Sequence, residues 1–242
     1  MNDNIIVQTL WISNELGEHQ KFCLQSFLDN GHDVHLYSYG EVTNLPIGVK
    51  LMDADVILAE DLVFKDLFNS YATFSDWFRI KLLYEVGGWW VDSDMLCIKH
   101  FHVDWPYVFA TEIEKNGNDE ITHICNCVIK MPKGNDMAKS ILSRIDDCLR
   151  SKNPVDIKWT EIGAKYMQNE IIDRDLVTYI VSPEVFCPFD YSSFESIFTE
   201  EKISLDKETF GIHLWNKMWE WSKREPMDVM TGNSIFSRFV EK

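Results

Sequence analysis

The run from residue 71 to residue 94 constrains this chain more than any other. Over residues 71–86 the side chains of Phe74, Trp77, Phe78, Leu82 and Val86 fall at helical spacing and can form one buried stripe. Gly87-Gly88 stops the pattern, as glycine does where a helix ends in a left-handed turn. The residues that follow, Trp89-Trp90-Val91, are bulky and favour strands, so the chain re-enters the core extended. That strand delivers Asp92-Ser93-Asp94 to its own C-terminal end. In open α/β sheets ligands bind outside the carboxyl ends of the strands, so the acidic pair stands where such a fold works.

The upstream segments predict the same architecture. Residues 5–12 form a short β-rich apolar run, and residues 18–30 carry Phe22, Phe27 and Leu28 at near-helical spacing before Gly31. Residues 32–39 set Val34 and Leu36 against polar neighbours, which completes a βαβ unit and favours a parallel sheet covered by helices. A turn at 44–48, a strand over 49–52 and mixed helix and loop over 55–67 follow. Beyond the acidic pair the periodicity weakens, and helices are predicted over 136–149 and 162–172. There is no repeat or linker, and 242 residues suit one core, so a single α/β domain spanning residues 1–242 is expected.

Charge narrows the partners. With 23 Lys and Arg against 39 Asp and Glu, the formal net charge is −16, which repels nucleic acid and anionic membrane surfaces. An acidic chain can still hold a phosphate-bearing ligand if a divalent cation offsets the charge. No apolar run reaches the ~18 residues of a transmembrane helix, and the first residues lack the basic and apolar regions of a signal peptide, so a soluble cytoplasmic protein is expected. The six cysteines are scattered. Cys125-Asn126-Cys127 has no second closely spaced pair to complete a zinc site, and reduced, buried thiols are expected.

Asp92 and Asp94 are two apart, which puts both carboxylates on one face of a strand or lets them converge at its end. Hard oxygen ligands suit Mn²⁺ or Mg²⁺, although an Asp-x-Asp by itself also describes a solvated strand end. Asp76 and Arg79, three apart on the predicted helix, share a face; taken alone they read as a surface ion pair.

The 21 residues 74–94 resemble the Ser-Asp-x-x-Arg…Gly-Gly-x-aromatic-x-Asp-x-Asp signature of the sugar-binding-motif glycosyltransferases. That group includes initiating mannosyltransferases of the yeast type, bacterial capsule and lipopolysaccharide transferases and, more distantly, the glucosylating clostridial toxins. The resemblance implies a GT-A fold, with a Rossmann-like, mostly parallel central sheet flanked by helices. It further implies a nucleotide-sugar donor with UDP preferred over GDP, a divalent cation, a glycan acceptor and retention of anomeric configuration. Asp94 would be the principal metal ligand and Asp92 would face the ribose, the donor sugar and the metal. Asp76 and Arg79 would hold the donor sugar and its phosphates. The implied product is a cell-envelope glycan made at the inner face of the membrane, where peripheral contact fits, and no basic amphipathic segment marks a dock.

Three weaker likenesses extend the site. Leu10-Trp11-Ile12-Ser13-Asn14 resembles the Trp-Ile-Gly-Gly segment that stacks uracil in the toxin branch, with Ser13 and Asn14 replacing both glycines, so Trp11 is either a base platform or a core residue. Residues 211–219 resemble the late His-and-Trp segment that closes the donor site. There His213 would be a third metal ligand, Trp215 and Trp219 would donate to phosphate oxygens and Lys217 would offset leaving-group charge; an amphipathic aromatic turn is the alternative. Asn126 lies in an apolar run like the Asn-bearing strand beside the sugar, and Glu161 lies in a segment, 159–163, loosely similar to one that borders the acceptor. A nucleotidyltransferase or phosphohydrolase could use the same acidic pair, but the chain has no Walker-type loop and no second acidic cluster of two-metal spacing. A noncatalytic sugar-binding module on the same fold is the alternative from another class.

Overall fold

In the computed structural model, which describes residues 5–116, 119–158, 161–199 and 204–240, the opening segments form the βαβ unit that their periodicity predicts. β1 (Ile6–Leu10) leads through α1 (Glu18–Asp29) to β2 (Asp33–Ser38), paired in parallel from Ile6↔Asp33 to Leu10↔Tyr37. β3 (Lys50–Asp53) adds in parallel outside β2. α2 (Ala72–Glu85) then returns the chain to the far side of β1, where β4 (Gly88–Val91) also pairs in parallel. β5 (Met95–Cys97) leaves the sheet, and the hairpin of β6 (Val108–Asn116) and β7 (Asp119–Met131) closes its other edge with antiparallel pairing of β7 to β4. The sheet order is therefore β3-β2-β1-β4-β7-β6, with three parallel pairings and two antiparallel. Because the chain builds outward on both sides of β1, the carboxyl ends of β1 and β4 flank the crevice where connections diverge.

Helices cover both faces. α3 (Asp136–Ser151) and α4 (Ala164–Asp173) lie on the side of α2, and Asn135 caps α3 by accepting the Ala138 N–H at 2.8 Å. After α5 (Pro183–Phe186) and α6 (Ser196–Thr199), β8 (Gly211–His213) pairs antiparallel with β5 as a separate two-stranded ribbon. α7 (Asn216–Ser222), α8 (Pro226–Val229) and α9 (Ile235–Val240) follow, and a third apolar cluster around Trp219, Phe198 and Phe236 packs this C-terminal layer against β5 and β8. Among the described residues no helix is long and apolar enough to cross a membrane.

α2 is more deeply buried than its predicted stripe. Phe74, Phe78 and Leu82 are inaccessible, but so are Thr73 and Leu83, and Asp76 and Arg79 are nearly so. Val86, assigned to the stripe from the sequence, is instead 46% exposed, because the helix has ended and Gly87 turns the chain away with φ 74°. A side chain at Gly87 would put Cβ 2.5 Å from the Lys133 amide nitrogen, so both the left-handed turn and the close crossing require glycine. All six cysteines are buried free thiols.

Candidate active site

A cleft of about 960 Å³ opens at the carboxyl ends of β1 and β4, within the size range of small-molecule sites. Asp92 follows directly on β4, and its N–H still donates to the Cys127 carbonyl on β7 at 2.8 Å. Two residues on, the Asp94 carbonyl accepts the Leu214 N–H at 3.0 Å, and its carboxylate Oδ2 accepts the Asn216 N–H at 2.7 Å. These bonds tie the acidic pair to β8, whose last residue, His213, is in register with Met95. The imidazole Nε2 lies 3.4 Å from Asp94 Oδ1 and 4.0 Å from Asp92 Oδ2, and the three groups offer ligand atoms all within 4.8 Å of one another.

The electrostatics of this cluster are lopsided. Burial alone would lower the His213 pKa, but the Asp94 charge and hydrogen bond, assisted by Asp92, raise it to about 9. Burial works the other way on Asp94, yet His213 and the Asn216 N–H pull its carboxyl down to about 2. Asp92 remains above the usual carboxylate range because burial and the Asp94 charge outweigh Arg79. A cation would therefore replace the proton that His213 carries. Two carboxylates and one imidazole could hold a divalent metal ion, and the donor set fits one.

Arg79 organises the opposite wall. Its Nε donates to the Ser75 carbonyl, NH1 to Asp92 Oδ1 at 2.8 Å and to the Asn126 carbonyl at 2.6 Å, and NH2 to Ser75 Oγ at 3.1 Å, with Asp76 Oδ1 at 3.3 Å. Four guanidinium hydrogen bonds are thus made within the protein, and the Asp76 contact is an ion pair. Arg79 thereby contacts both Asp76 and Asp92. Asp76 accepts the Asn126 amide at 2.6 Å, and burial, only partly offset by Arg79, raises its carboxyl to about 6. The Trp90 indole donates to Asp92 Oδ1 at 2.8 Å, so that oxygen is doubly held.

Trp11 stands at the cleft wall, half-buried, with its indole N–H donating to the Glu15 carbonyl at 2.8 Å. Trp215 also lines the cleft and has φ 58°, an uncommon conformation for a bulky residue. Its buried indole N–H and the His213 Nδ1 have no hydrogen-bond partner among the described residues. Lys217 reaches the cleft and pairs with Glu220.

One expected site residue, Trp219, and one weaker candidate, Glu161, lie elsewhere. Trp219 is 2% exposed in the C-terminal apolar cluster, and its indole N–H is consumed by the Leu214 carbonyl at 3.0 Å, so it cannot serve a phosphate. Glu161 pairs with Lys152 and accepts the Lys158 N–H, which holds it outside the cleft lining; Trp159 and Thr160 of the same segment lie outside the described residues. Sequence reasoning missed Gly163, where a Cβ would fall 2.2 Å from Asp76 Oδ2 and 2.9 Å from the Asn126 amide nitrogen. It also missed Glu112, a cleft residue on β6 whose carboxyl is pushed up to about 8, first by burial and then by the Cys125 sulfur. Glu112 carries no motif, and Gly163 ends the 159–163 segment without being singled out by it; the folded contacts mark both.

Residues 57–216 match a family described as capsular polysaccharide synthesis protein. The chain belongs to that family. The matched span holds Asp76, Arg79, Asp92, Asp94, Asn126 and His213 and ends at Asn216, leaving out Trp11, Lys217 and Trp219. Among solved structures, the PaToxG glycosyltransferase superposes with a TM-score of 0.50 at 15% identity, covering 71% of this chain and 69% of that one. The glycosyltransferase GlyE of Streptococcus pneumoniae TIGR4 matches with a TM-score of 0.47 at 13% identity over 93% of this chain, which spans 62% of that structure's length. No curated protein sequence matches. The family bears out the expectation of a capsular polysaccharide synthesis protein, and the fold is the α/β fold of a solved glycosyltransferase.

Proposed function

We propose that the chain, as one domain, is a divalent-cation-dependent, retaining hexosyltransferase that takes a UDP-sugar in this cleft and passes the hexose to a hydroxyl of a glycan acceptor. The observation that carries this reading is the convergence of Asp92, Asp94 and His213 at the end of β4 inside a cleft large enough for a nucleotide-sugar. The UDP preference and the retention rest on the resemblance of residues 74–94 and of Trp11 to the transferase signature.

Asp92, Asp94 and His213 would hold the cation, which supplies positive charge opposite the departing diphosphate. The remaining groups bind and orient. Arg79 and Trp90 fix one oxygen of Asp92 and leave Oδ2 facing His213. The Trp215 N–H, buried and without a partner among the described residues, could reach a phosphate oxygen if the ring turned toward the cleft, and Lys217 adds positive charge at the same wall. Glu112, largely protonated at neutral pH, can donate a hydrogen bond to a sugar hydroxyl. The deciding experiment offers the purified chain UDP- and GDP-sugars with and without Mn²⁺. Release of UDP that requires the metal supports the reading. Saturable binding with no nucleoside diphosphate released from any donor sinks it in favour of a binding module.

Two variants test the parts. If Trp11 stacks on uracil, Trp11→Ala weakens UDP itself by about 1–3 kcal/mol, and Trp11→Phe recovers part of the loss. Unchanged UDP affinity with a lowered melting temperature would return Trp11 to the core. For His213, a bound cation needs the neutral imidazole, so Mn²⁺ affinity should rise about tenfold per pH unit up to about 9, with one proton released per ion. His213→Ala should flatten that slope. A wild-type affinity for Mn²⁺ that is level between about pH 7 and 8.5 removes His213 from the ligand set.

A further inference from the structure

Three sulfur atoms meet where the sequence spacing offers only two. Cys125 and Cys127 stand two apart on β7, and Cys187 follows the last residue of α5, 60 positions beyond Cys127. Their Sγ atoms are 3.4 Å (125 to 127), 3.5 Å (127 to 187) and 3.8 Å (125 to 187) apart. All three residues are buried, and none forms a disulfide. Sulfurs around a tetrahedral zinc ion at the usual ~2.3 Å are about 3.8 Å apart. The circle through these three has a radius of about 2.1 Å, so an ion about 2.3 Å from each would stand only about 1 Å out of their plane. The ligands are thus within a few tenths of an ångström of a thiolate site with no backbone movement.

We propose that Cys125, Cys127 and Cys187 form a trithiolate site for a soft divalent cation of the zinc class, separate from the oxygen-rich cluster of Asp92, Asp94 and His213. Donor chemistry sorts the two sites, since thiolates select zinc-like ions and carboxylates select Mn²⁺ or Mg²⁺. Cys125 and Cys127 line the cleft, so water from it can complete a fourth position. The consequence for the protein is positional. Asn126, between two of the ligands, donates to Asp76 and accepts from Arg79, and the Cys127 carbonyl accepts the Asp92 N–H. A cation clamped on the flanking sulfurs and on Cys187 braces the stretch of β7 that orients all three charged groups.

The test uses the reduced chain of 242 residues, stripped of metal, and is independent of any donor sugar. One equivalent of Cd²⁺ should give the ultraviolet charge-transfer absorption of cadmium thiolates, and added to the zinc-loaded chain it should release one equivalent of Zn²⁺, since thiolates hold the softer ion more tightly. Cys187→Ser should lose the band and weaken Zn²⁺, measured against a chromogenic chelator, by more than the about 10–100-fold that loss of an outer-shell partner costs. Asp94→Ala should keep both, which separates this site from the carboxylate cluster. Absence of the band in the wild type overturns the proposal, as does a Cys187→Ser chain with unchanged zinc affinity. Should Cys187→Ser fail to fold, Cys125→Ser is read in the same way. The zinc count of the wild-type chain by native mass spectrometry, one against none, decides independently.

Discussion

Asp94→Ala is expected to lower sugar transfer by about 10²–10³-fold, the scale on which a single electrostatic stabiliser of the transition state acts. The geometry argues for a loss of this size. Asp94 is the carboxylate most firmly kept ionised, at about 2, and it alone contacts both His213 and the backbone N–H that opens α7. Removing it would take away one ligand, free the imidazole to turn, and loosen the junction of β8 with α7 that carries Trp215 and Lys217. The stability cost should be modest, because the Asp94 carbonyl bond to Leu214 and the β5–β8 ribbon are made by the backbone. Metal-dependent UDP release from a UDP-sugar, measured at saturating Mn²⁺ beside a melting curve, reads both effects. Activity within threefold of wild type, with the metal requirement intact, would remove Asp94 from the site.

The turn from α2 into β4 was legible because two periodicities meet at Gly87-Gly88, and the end of β4 follows from where the bulky residues stop. The β6–β7 hairpin was not, since its pairing is set by a register that shifts between Phe109 and Thr111 and not by any regular alternation. Spacing put Asp76 and Arg79 on one face but could not show that Arg79 also reaches Asp92 and the Asn126 carbonyl. Trp219 stands four residues beyond Trp215 in the same aromatic segment, yet one ring faces the cleft and the other the core; the left-handed turn at Trp215 separates them. An isolated imidazole titrates near 6.5. Only the folded contacts with Asp94 and Asp92 carry His213 to about 9.

Loss of Arg79 should cost the fold heavily. Arg79→Met keeps the length and apolar stem of the side chain but leaves two carboxylates, Asp76 and Asp92, without the cation that both contact. Breaking a buried pair in this way typically costs about 3–5 kcal/mol, because the remaining charge cannot be solvated. For a chain of this size that is a fall in melting temperature of roughly 6–20 °C. Its pH dependence identifies the cause. Even with Arg79 present, burial holds Asp76 at about 6, above its unfolded value, so the native state takes up a proton more readily than the unfolded chain. Without Arg79 the Asp76 pKa rises further. The deficit of the variant relative to wild type should therefore be largest near pH 8, where Asp76 is ionised in the wild type, and shrink as pH falls through about 6 and the carboxyl becomes neutral in both proteins. The Arg79–Asp92 contact keeps the deficit from vanishing. Calorimetric melting of both proteins between about pH 5 and 8 measures this. A deficit that is constant across that range, or smaller than about 1 kcal/mol, would mean that Arg79 is not what compensates the buried carboxylates.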